Sequence, residues 1–368
     1  MNDGMSDATQ PQLQPEPGSQ PGSGSELLSR VARGAEAEPV LSVDGLRVEF
    51  PSDQGVVHAA TNVRFSVPRG GTLGIVGESG CGKSVTLRAL CGLVPAPGRI
   101  AAGTVQVEGV AYRSAQELAS LRGEKLSMIF QDPASSLNPV HSIGAQVSEV
   151  LRVKLGYSRK AARTEAIELL GHVGIPEPAQ RMASYPHELS GGMRQRVMIA
   201  MAIACRPKVL LADEPTTALD VTTQEQILKL LLRLQDESGM AIILVTHDLG
   251  VIEEVCDEVI VMYAGFVMER GSVANLAAAK HPYTRGLMAA MPQIDARSLP
   301  AVIIGQPPDL ATLDPGCPFA PRCPEVRPAC TSVDMQTQTL TNCACPFSCQ
   351  PTNPQPTAAT TQIQEPTT

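Results

Sequence analysis

The sequence predicts an α/β fold built on a mostly parallel sheet, with a smaller antiparallel β subdomain. Three observations carry that expectation. Short apolar runs stand at 72–76, 126–130, 209–212 and 241–246, the pattern of strands covered on both faces. Helical periodicity follows most of them, as over 225–234. The run 72–76 leads through a glycine-rich turn directly into a helical stretch, 85–93.

The other elements follow in chain order. Residues 1–39 form an extension expected to be disordered. Its first 25 residues hold four apolar side chains, Met1, Met5, Ala8 and Leu13, among Gln, Pro, Gly and Ser, too few to offset chain entropy. Segments 40–50 and 57–67 alternate less cleanly and read as an antiparallel edge sheet. A helical insert, about 133–207, separates the strand ending at Phe130 from the strand starting at Val209. Residues 259–267 read as a hairpin closing a unit that spans 40–272. After Arg270 the composition shifts towards Pro and Cys, which marks a small Cys-rich C-terminal domain, 273–350. The tail 351–368, with six Thr, four Pro and Ile363 as its one large apolar residue, is again expected to be disordered. No internal repeat is visible.

At 368 residues the chain has room for two or three domains of about 150 residues. Its net charge of −8 argues against a nucleic-acid partner, which calls for a basic face. Aromatics make up 3% and Trp is absent, so a stacking platform for single strands is excluded too. The longest apolar run, 197–205, is nine residues, whereas a spanning helix needs about 20. The N-terminus shows no signal-peptide pattern. The expectation is a chain working in the cytoplasm.

Gly77-Glu78-Ser79-Gly80-Cys81-Gly82-Lys83-Ser84 fits G-x-x-x-x-G-K-S/T, the phosphate-binding loop between a strand and a helix. Its glycines let backbone N–H groups turn towards phosphate oxygens. Lys83 brings a mobile charge to the β- and γ-phosphates, and the Ser84 hydroxyl reaches Mg²⁺. Val209-Leu210-Leu211-Ala212-Asp213-Glu214 is an apolar strand ending in two carboxylates. Asp213 is placed to hold Mg²⁺ and Glu214 to polarise an attacking water. Cys81 lies in the loop beside Lys83 and ahead of a helix N-terminus, features that lower a thiol pKa. A reactive Cys81, protected by bound Mg-ATP, is therefore expected, the alternative being a small residue filling a tight turn.

Leu189-Ser190-Gly191-Gly192-Met193-Arg194-Gln195, a little upstream of the carboxylate strand, resembles the signature motif of ATP-binding-cassette (ABC) ATPases. Ser190 and the two glycines open a helix and expose its N–H groups. In that family the signature meets the γ-phosphate held by the other subunit's phosphate loop. The resemblance implies a P-loop ABC ATPase core with a helical subdomain insert, binding ATP and Mg²⁺ between two cassettes. It also implies a Q-loop glutamine at Gln131, a D-loop aspartate at Asp220 and a switch histidine at His247. Phe50 resembles the aromatic that stacks on adenine, although a core-facing strand Phe fits the position almost as well.

Four further segments resemble the oligopeptide/dipeptide importer branch: Phe130-Gln131-Asp132-Pro133-Ala134-Ser135-Ser136-Leu137-Asn138-Pro139, His281-Pro282-Tyr283-Thr284-Arg285-Gly286-Leu287, Gly305-Gln306-Pro307-Pro308-Asp309-Leu310 and Gly316-Cys317-Pro318-Phe319-Ala320-Pro321-Arg322-Cys323-Pro324. The resemblance implies an ATPase subunit driving import of peptides, with nickel or another small solute as the alternative cargo. Its implied partners are a second ATPase subunit (a copy or a paralogue), two membrane permease subunits and a solute-binding protein. The implied location is the cytoplasmic face of the inner membrane, as a peripheral subunit. A soluble ABC ATPase acting on ribosomes or DNA fits less well, given one cassette and an acidic chain. A non-catalytic cassette is disfavoured by Glu214 and His247.

Of ten cysteines, six (Cys317, Cys323, Cys330, Cys343, Cys345 and Cys349) crowd the end of the chain. In a cytoplasmic protein such crowding reads first as a metal site. Members of the resembled branch carry a 4Fe–4S cluster on a similar set, here Cys317, Cys323, Cys330 and Cys345, with Cys343 as the other candidate for the fourth place. Zinc would accept the same four thiolates. Because 315–349 has few large apolar residues, it is expected to need such a staple, and since none of these cysteines lies near the ATP motifs in sequence, a structural or docking role with no redox step is expected.

Overall fold

The computed structural model describes residues 38–53, 55–217, 219–291, 302–335 and 343–345. The extension up to residue 37, the tail 351–368 and Cys349 lie outside the described residues. The strands are β1 (Pro39–Ser52), β2 (Gly55–Pro68), β3 (Thr72–Val76), β4 (Arg99–Val107), β5 (Val110–Tyr112), β6 (Leu126–Ile129), β7 (Val209–Asp213), β8 (Ala241–Val245), β9 (Glu258–Tyr263) and β10 (Phe266–Ser272). They form a four-stranded antiparallel sheet, β2-β1-β4-β5, and a six-stranded sheet, β10-β9-β3-β8-β7-β6. In the larger sheet β9, β3, β8, β7 and β6 run parallel, and β10 closes it as an antiparallel hairpin with β9.

β3, β7 and β8 are buried along their whole length, as continuous apolar runs require when both faces are covered. Alternate residues serve two different cores. Leu210, Ala212, Ile242 and Leu244 join the cluster on the helical side. Val209, Leu211, Ile243 and Val245 join the cluster under the antiparallel sheet, with Leu41, Val48 and Phe65. This is the period of two expected of a pleated strand.

Between β6 and β7 come the helices Ile143–Leu155, Arg159–His172 and Gly191–Ile203, with short turns at Pro133–Ser136 and Pro178–Arg181. Ser142 and Ser158 cap the first two by accepting from Ala145 and Ala161 N–H. Among the described residues no helix is long and apolar enough to cross a membrane.

Among the described residues, those after Ser272 share the main core and make no separate one. Tyr283, Phe319, Met335 and Ala344 belong to the main cluster on the helical side of the sheet. The Phe319 ring stands edge-on to Tyr263 of β9 at 5.3 Å between centroids, and Tyr283 lies 4.6 Å from Tyr263. Cys343 bridges to Glu269 of β10. Tyr283 and Phe319 are thus packed against Tyr263 of the sheet, so these residues share the main core.

Candidate active site

Strand order assembles the site. β3, β8, β7 and β6 are neighbours, so the loops at their carboxyl ends lie side by side, where parallel sheets bind ligands. Those loops carry the residues 77–84, His247, Asp213–Glu214 and Gln131.

The loop 77–84 is shaped by glycine. Gly77 has φ 153° and Gly82 has φ 101°; a Cβ at Gly77 would run into the Met262 carbonyl oxygen, and one at Gly82 into that of Ala59. Only glycine fits both constraints. Ser79 and Gly80 form the exposed tip, whereas Lys83 is buried. The Lys83 ammonium donates to the carbonyls of Gly77 at 2.7 Å and Glu78 at 2.9 Å. The helix Lys83–Leu90 starts here, and its first turn turns N–H groups without intrahelical partners towards the loop.

Ser84 Oγ donates to Asp213 Oδ1 at 2.7 Å. Asp213 is fully buried, and its Oδ2 has no hydrogen-bond partner. Burial holds its carboxyl above the usual range, against the Ser84 bond and the nearby Arg88, with Glu214 pushing it up further. An orphaned, buried carboxylate oxygen beside a serine hydroxyl is a donor set suited to Mg²⁺.

Glu214, one residue on, has φ 45°, a strained value for a non-glycine. Its N–H donates to Val245 O of β8 at 2.9 Å. Its Oε2 receives Gln131 Nε2 at 2.9 Å and Thr217 Oγ1 at 2.9 Å, with His247 Nδ1 at 3.6 Å. The fold therefore brings Gln131, Glu214 and His247 together. Thr217 joins them unforeseen; its signal was the polar Thr216-Thr217 pair just beyond the carboxylates.

Ser190 caps the helix Gly191–Ile203, its Oγ accepting from Met193 N–H at 3.3 Å. Ser190 and Gly191 are exposed, and among the described residues no hydrogen bond joins Ser190 to the loop 77–84. Gly192 lies against Thr223, where a Cβ would stand 2.6 Å from Thr223 Cγ2. Asp220 caps the helix Val221–Ser238 through Thr223 N–H and Oγ1, bonds that hold its carboxyl below the usual range. Phe50 is half-buried on β1 with its ring against Gly98.

One expectation is corrected, and one contact was not foreseen. Cys81 is 4% exposed, and burial raises its thiol pKa more than Lys83 lowers it, so the loop does not activate it. The C-terminal residues do reach the ATP motifs: Arg322 forks onto Glu78 with Nη1 to Oε2 at 2.7 Å and Nη2 to Oε1 at 3.0 Å. Tyr283 Oη accepts from the Glu78 N–H at 3.0 Å. Arg322 lies within a segment singled out for its cysteines, and nothing local marked it.

Among the described residues, Cys317, Cys323, Cys330 and Cys345 form no disulfide. Burial pushes Cys317 up to about 11, and Cys330, Cys323 and Cys345 add to the shift. Cys343 pairs through its backbone with Glu269 of β10. Even so, among the described residues no three His, Cys, Asp or Glu side chains are grouped closely enough to hold a metal ion. The described residues therefore show no formed site for the expected cluster.

Residues 60–217 match the family model described as "ABC transporter", and 268–330 match "Oligopeptide/dipeptide transporter, C-terminal region". The oligopeptide transport ATP-binding protein OppD of Haemophilus influenzae is 51% identical over 295 residues, covering 77% of this chain and 89% of that protein. The dipeptide transport ATP-binding protein DppD of Bacillus subtilis is 46% identical over 301 residues, covering 80% and 90%. Among solved structures, the post-hydrolysis dimer of the ATP-binding cassette MJ0796, bound to ADP and Pi, superposes with a TM-score of 0.55 at 29% identity, covering 63% of this chain and 98% of that one. The chain belongs to the ABC transporter ATPases, in the branch of oligopeptide/dipeptide transport ATP-binding proteins.

Proposed function

We propose that this chain hydrolyses ATP to drive import of di- and oligopeptides through a membrane permease. The observation that carries the chemistry is the convergence of Gln131, Thr217 and His247 on the Glu214 carboxylate, at the carboxyl edge that also holds the loop 77–84. The relatives' names, oligopeptide and dipeptide transport ATP-binding proteins, support the cargo class.

In this reading Glu214 is the general base for the attacking water, with Gln131 and His247 orienting it. Gly77 to Ser84 cradle the phosphates, and Phe50 faces the adenine. Ser84, Asp213 and Gln131 hold Mg²⁺, which neutralises charge on the phosphates. Ser190, Gly191, Gly192 and Asp220 serve the site of a second ATPase subunit; the exposure of Ser190 and Gly191 supports this. The full assembly adds two permease subunits and a solute-binding protein, with this chain peripheral at the cytoplasmic face. Residues 40–272 are the ATPase unit, and 273–350 a C-terminal module seated on it.

Cys317, Cys323, Cys330 and Cys345 are proposed as the holders of a 4Fe–4S cluster, with zinc as the alternative. The influence of Cys330, Cys323 and Cys345 on the Cys317 thiol supports the set, while no metal-holding group is formed among the described residues. When bound, such a cluster would staple the loops. Iron and zinc content of anaerobically purified protein decides it; metal-free protein sinks the proposal.

The function is tested by assembling the chain with its permease partners and a solute-binding protein in liposomes. Peptide-stimulated ATPase activity with peptide uptake is expected. Stimulation by nickel and not by peptide overturns the cargo, and hydrolysis uncoupled from any uptake overturns the transport role.

A further inference from the structure

The phosphate loop carries an acidic side chain at its second position, Glu78. A carboxylate on a loop that binds a polyphosphate is an electrostatic liability unless its charge is cancelled. The cancelling group is Arg322, which is 244 residues away in sequence. Its side chain is only 6% exposed and that of Glu78 is 23% exposed, so solvent screens the pair little. Contact is two-pronged, at 2.7 and 3.0 Å, the geometry in which arginine binds carboxylate most specifically.

Arg322 is itself fixed from every side. It donates to the carbonyls of Ile303 at 3.2 Å and Ile304 at 3.1 Å, and to Tyr263 Oη at 3.2 Å. Its guanidinium lies 5.7 Å from the centre of the Tyr263 ring. Glu78 is fixed as fully: its N–H is taken by Tyr283 Oη, and its carbonyl accepts from Lys83 and from Cys81 N–H. The C-terminal residues thus grip the backbone and the side chain of one phosphate-loop residue, and that residue's carbonyl holds the loop lysine.

We propose that Arg322 is a positioning residue of the ATP site, neutralising Glu78 and holding its carboxylate aside so that the loop presents no uncompensated negative charge to the ATP phosphates. The proposal rests on the reading that residues 77–84 hold those phosphates. It assigns the C-terminal region a part in nucleotide binding besides its place in the fold. Because Arg322 directly precedes Cys323, any rearrangement of that cysteine loop bears on the ATP site.

The test is equilibrium binding of a fluorescent ATP analogue to the full chain, with melting temperature measured alongside without nucleotide. Arg322→Ala is expected to weaken binding about tenfold, equivalent to about 1.4 kcal/mol, and the deficit should grow as salt is lowered. Adding Glu78→Gln removes the exposed charge, so the double variant should bind within about threefold of Glu78→Gln alone. Arg322→Lys should recover part of the loss. A double variant as weak as Arg322→Ala, or Arg322→Ala binding as wild type does, overturns the proposal. If Arg322→Ala does not fold, the comparison passes to Arg322→Lys with and without Glu78→Gln, under the same two criteria. Lys83→Ala reports separately on the phosphate-loop reading: it should abolish binding, and retained binding would sink that reading whatever the Arg322 variants do.

Discussion

Gln131 Nε2 donates to Glu214 Oε2 at 2.9 Å, joining the loop after β6 to the residue after β7. Thr217 donates to the same oxygen at 2.9 Å. One carboxylate oxygen is thus pinned by two donors. Such fixing suits a base that must meet a water in one geometry.

Glu214→Gln should reduce ATP turnover by about 100- to 10,000-fold, the usual contribution of a positioned base. ATP should remain bound, since the loop 77–84 and Asp213 are untouched. The check is steady-state hydrolysis by the assembled transporter together with nucleotide retained on the purified protein. Turnover near the wild-type rate would remove Glu214 from the base role.

Asp213 combines a raised pKa with an unpartnered Oδ2. Without Mg²⁺, the folded state holds its proton to higher pH than the unfolded chain does. Stability therefore falls as pH rises from the ordinary Asp value of about 3.9 through the raised one, and the cost persists above it. Asp213→Asn replaces a buried unpaired charge by a buried unpaired amide and should stabilise the metal-free protein at about pH 7 by roughly 1 kcal/mol. The same change should weaken Mg-ATP binding about 10- to 100-fold, the scale found for residues that support a metal. Calorimetry with and without Mg-ATP measures both. A variant that melts lower than wild type at neutral pH without Mg²⁺ contradicts the account.

Cys81 reverses an expectation built from sequence neighbours. Lys83 and the helix start lie where the motif puts them, but burial in the loop outweighs both. In the native chain a maleimide should modify Cys81 more slowly than in urea, since burial both raises its thiol pKa and shields the sulfur. Mg-ATP should make little difference. Mass spectrometry of the labelled peptide follows this; fast, ATP-blocked labelling of folded protein would restore the activated thiol.

What could be read from the sequence is what lies next to an apolar strand. β3 spans Thr72–Val76 as expected, and β7 and β8 differ from the expected runs by one residue. Asp213 and Glu214 end such a strand, Lys83 and Ser84 are fixed by the glycine-rich motif that follows another, and Gln131 and His247, each just past a strand end, are legible through the family resemblance. β4 escaped notice because its half-exposed Arg99–Val107 stretch, broken by Gly103 at φ 112°, has no clean alternation. Arg322 escaped for a different reason. Its partner depends on the path of the chain after β10 across the sheet, which no spacing encodes.

His281 offers a pH test of how the C-terminal residues are seated. It is 1% exposed and opens the helix Pro282–Ala289, its Nδ1 accepting from Tyr283 N–H at 3.1 Å. Burial, helped by Arg285, pushes its pKa from 6.5 down to about 4. The folded chain then keeps His281 neutral where the unfolded chain binds a proton. Its contribution is complete above about pH 6.5 and is lost as pH falls towards about pH 4. Between about pH 7 and about pH 5 this one group should remove about 2 kcal/mol of stability. His281→Asn keeps a good capping residue without a titrating group, so its stability should fall by about 2 kcal/mol less over that interval. Urea denaturation of both proteins at the two pH values reads the difference. Because Tyr283 carries the cap's N–H and its own hydroxyl holds Glu78, acid loosening of this helix should weaken ATP binding in the wild type before it does so in His281→Asn. Parallel losses of stability in the two proteins would show that His281 does not govern the seating.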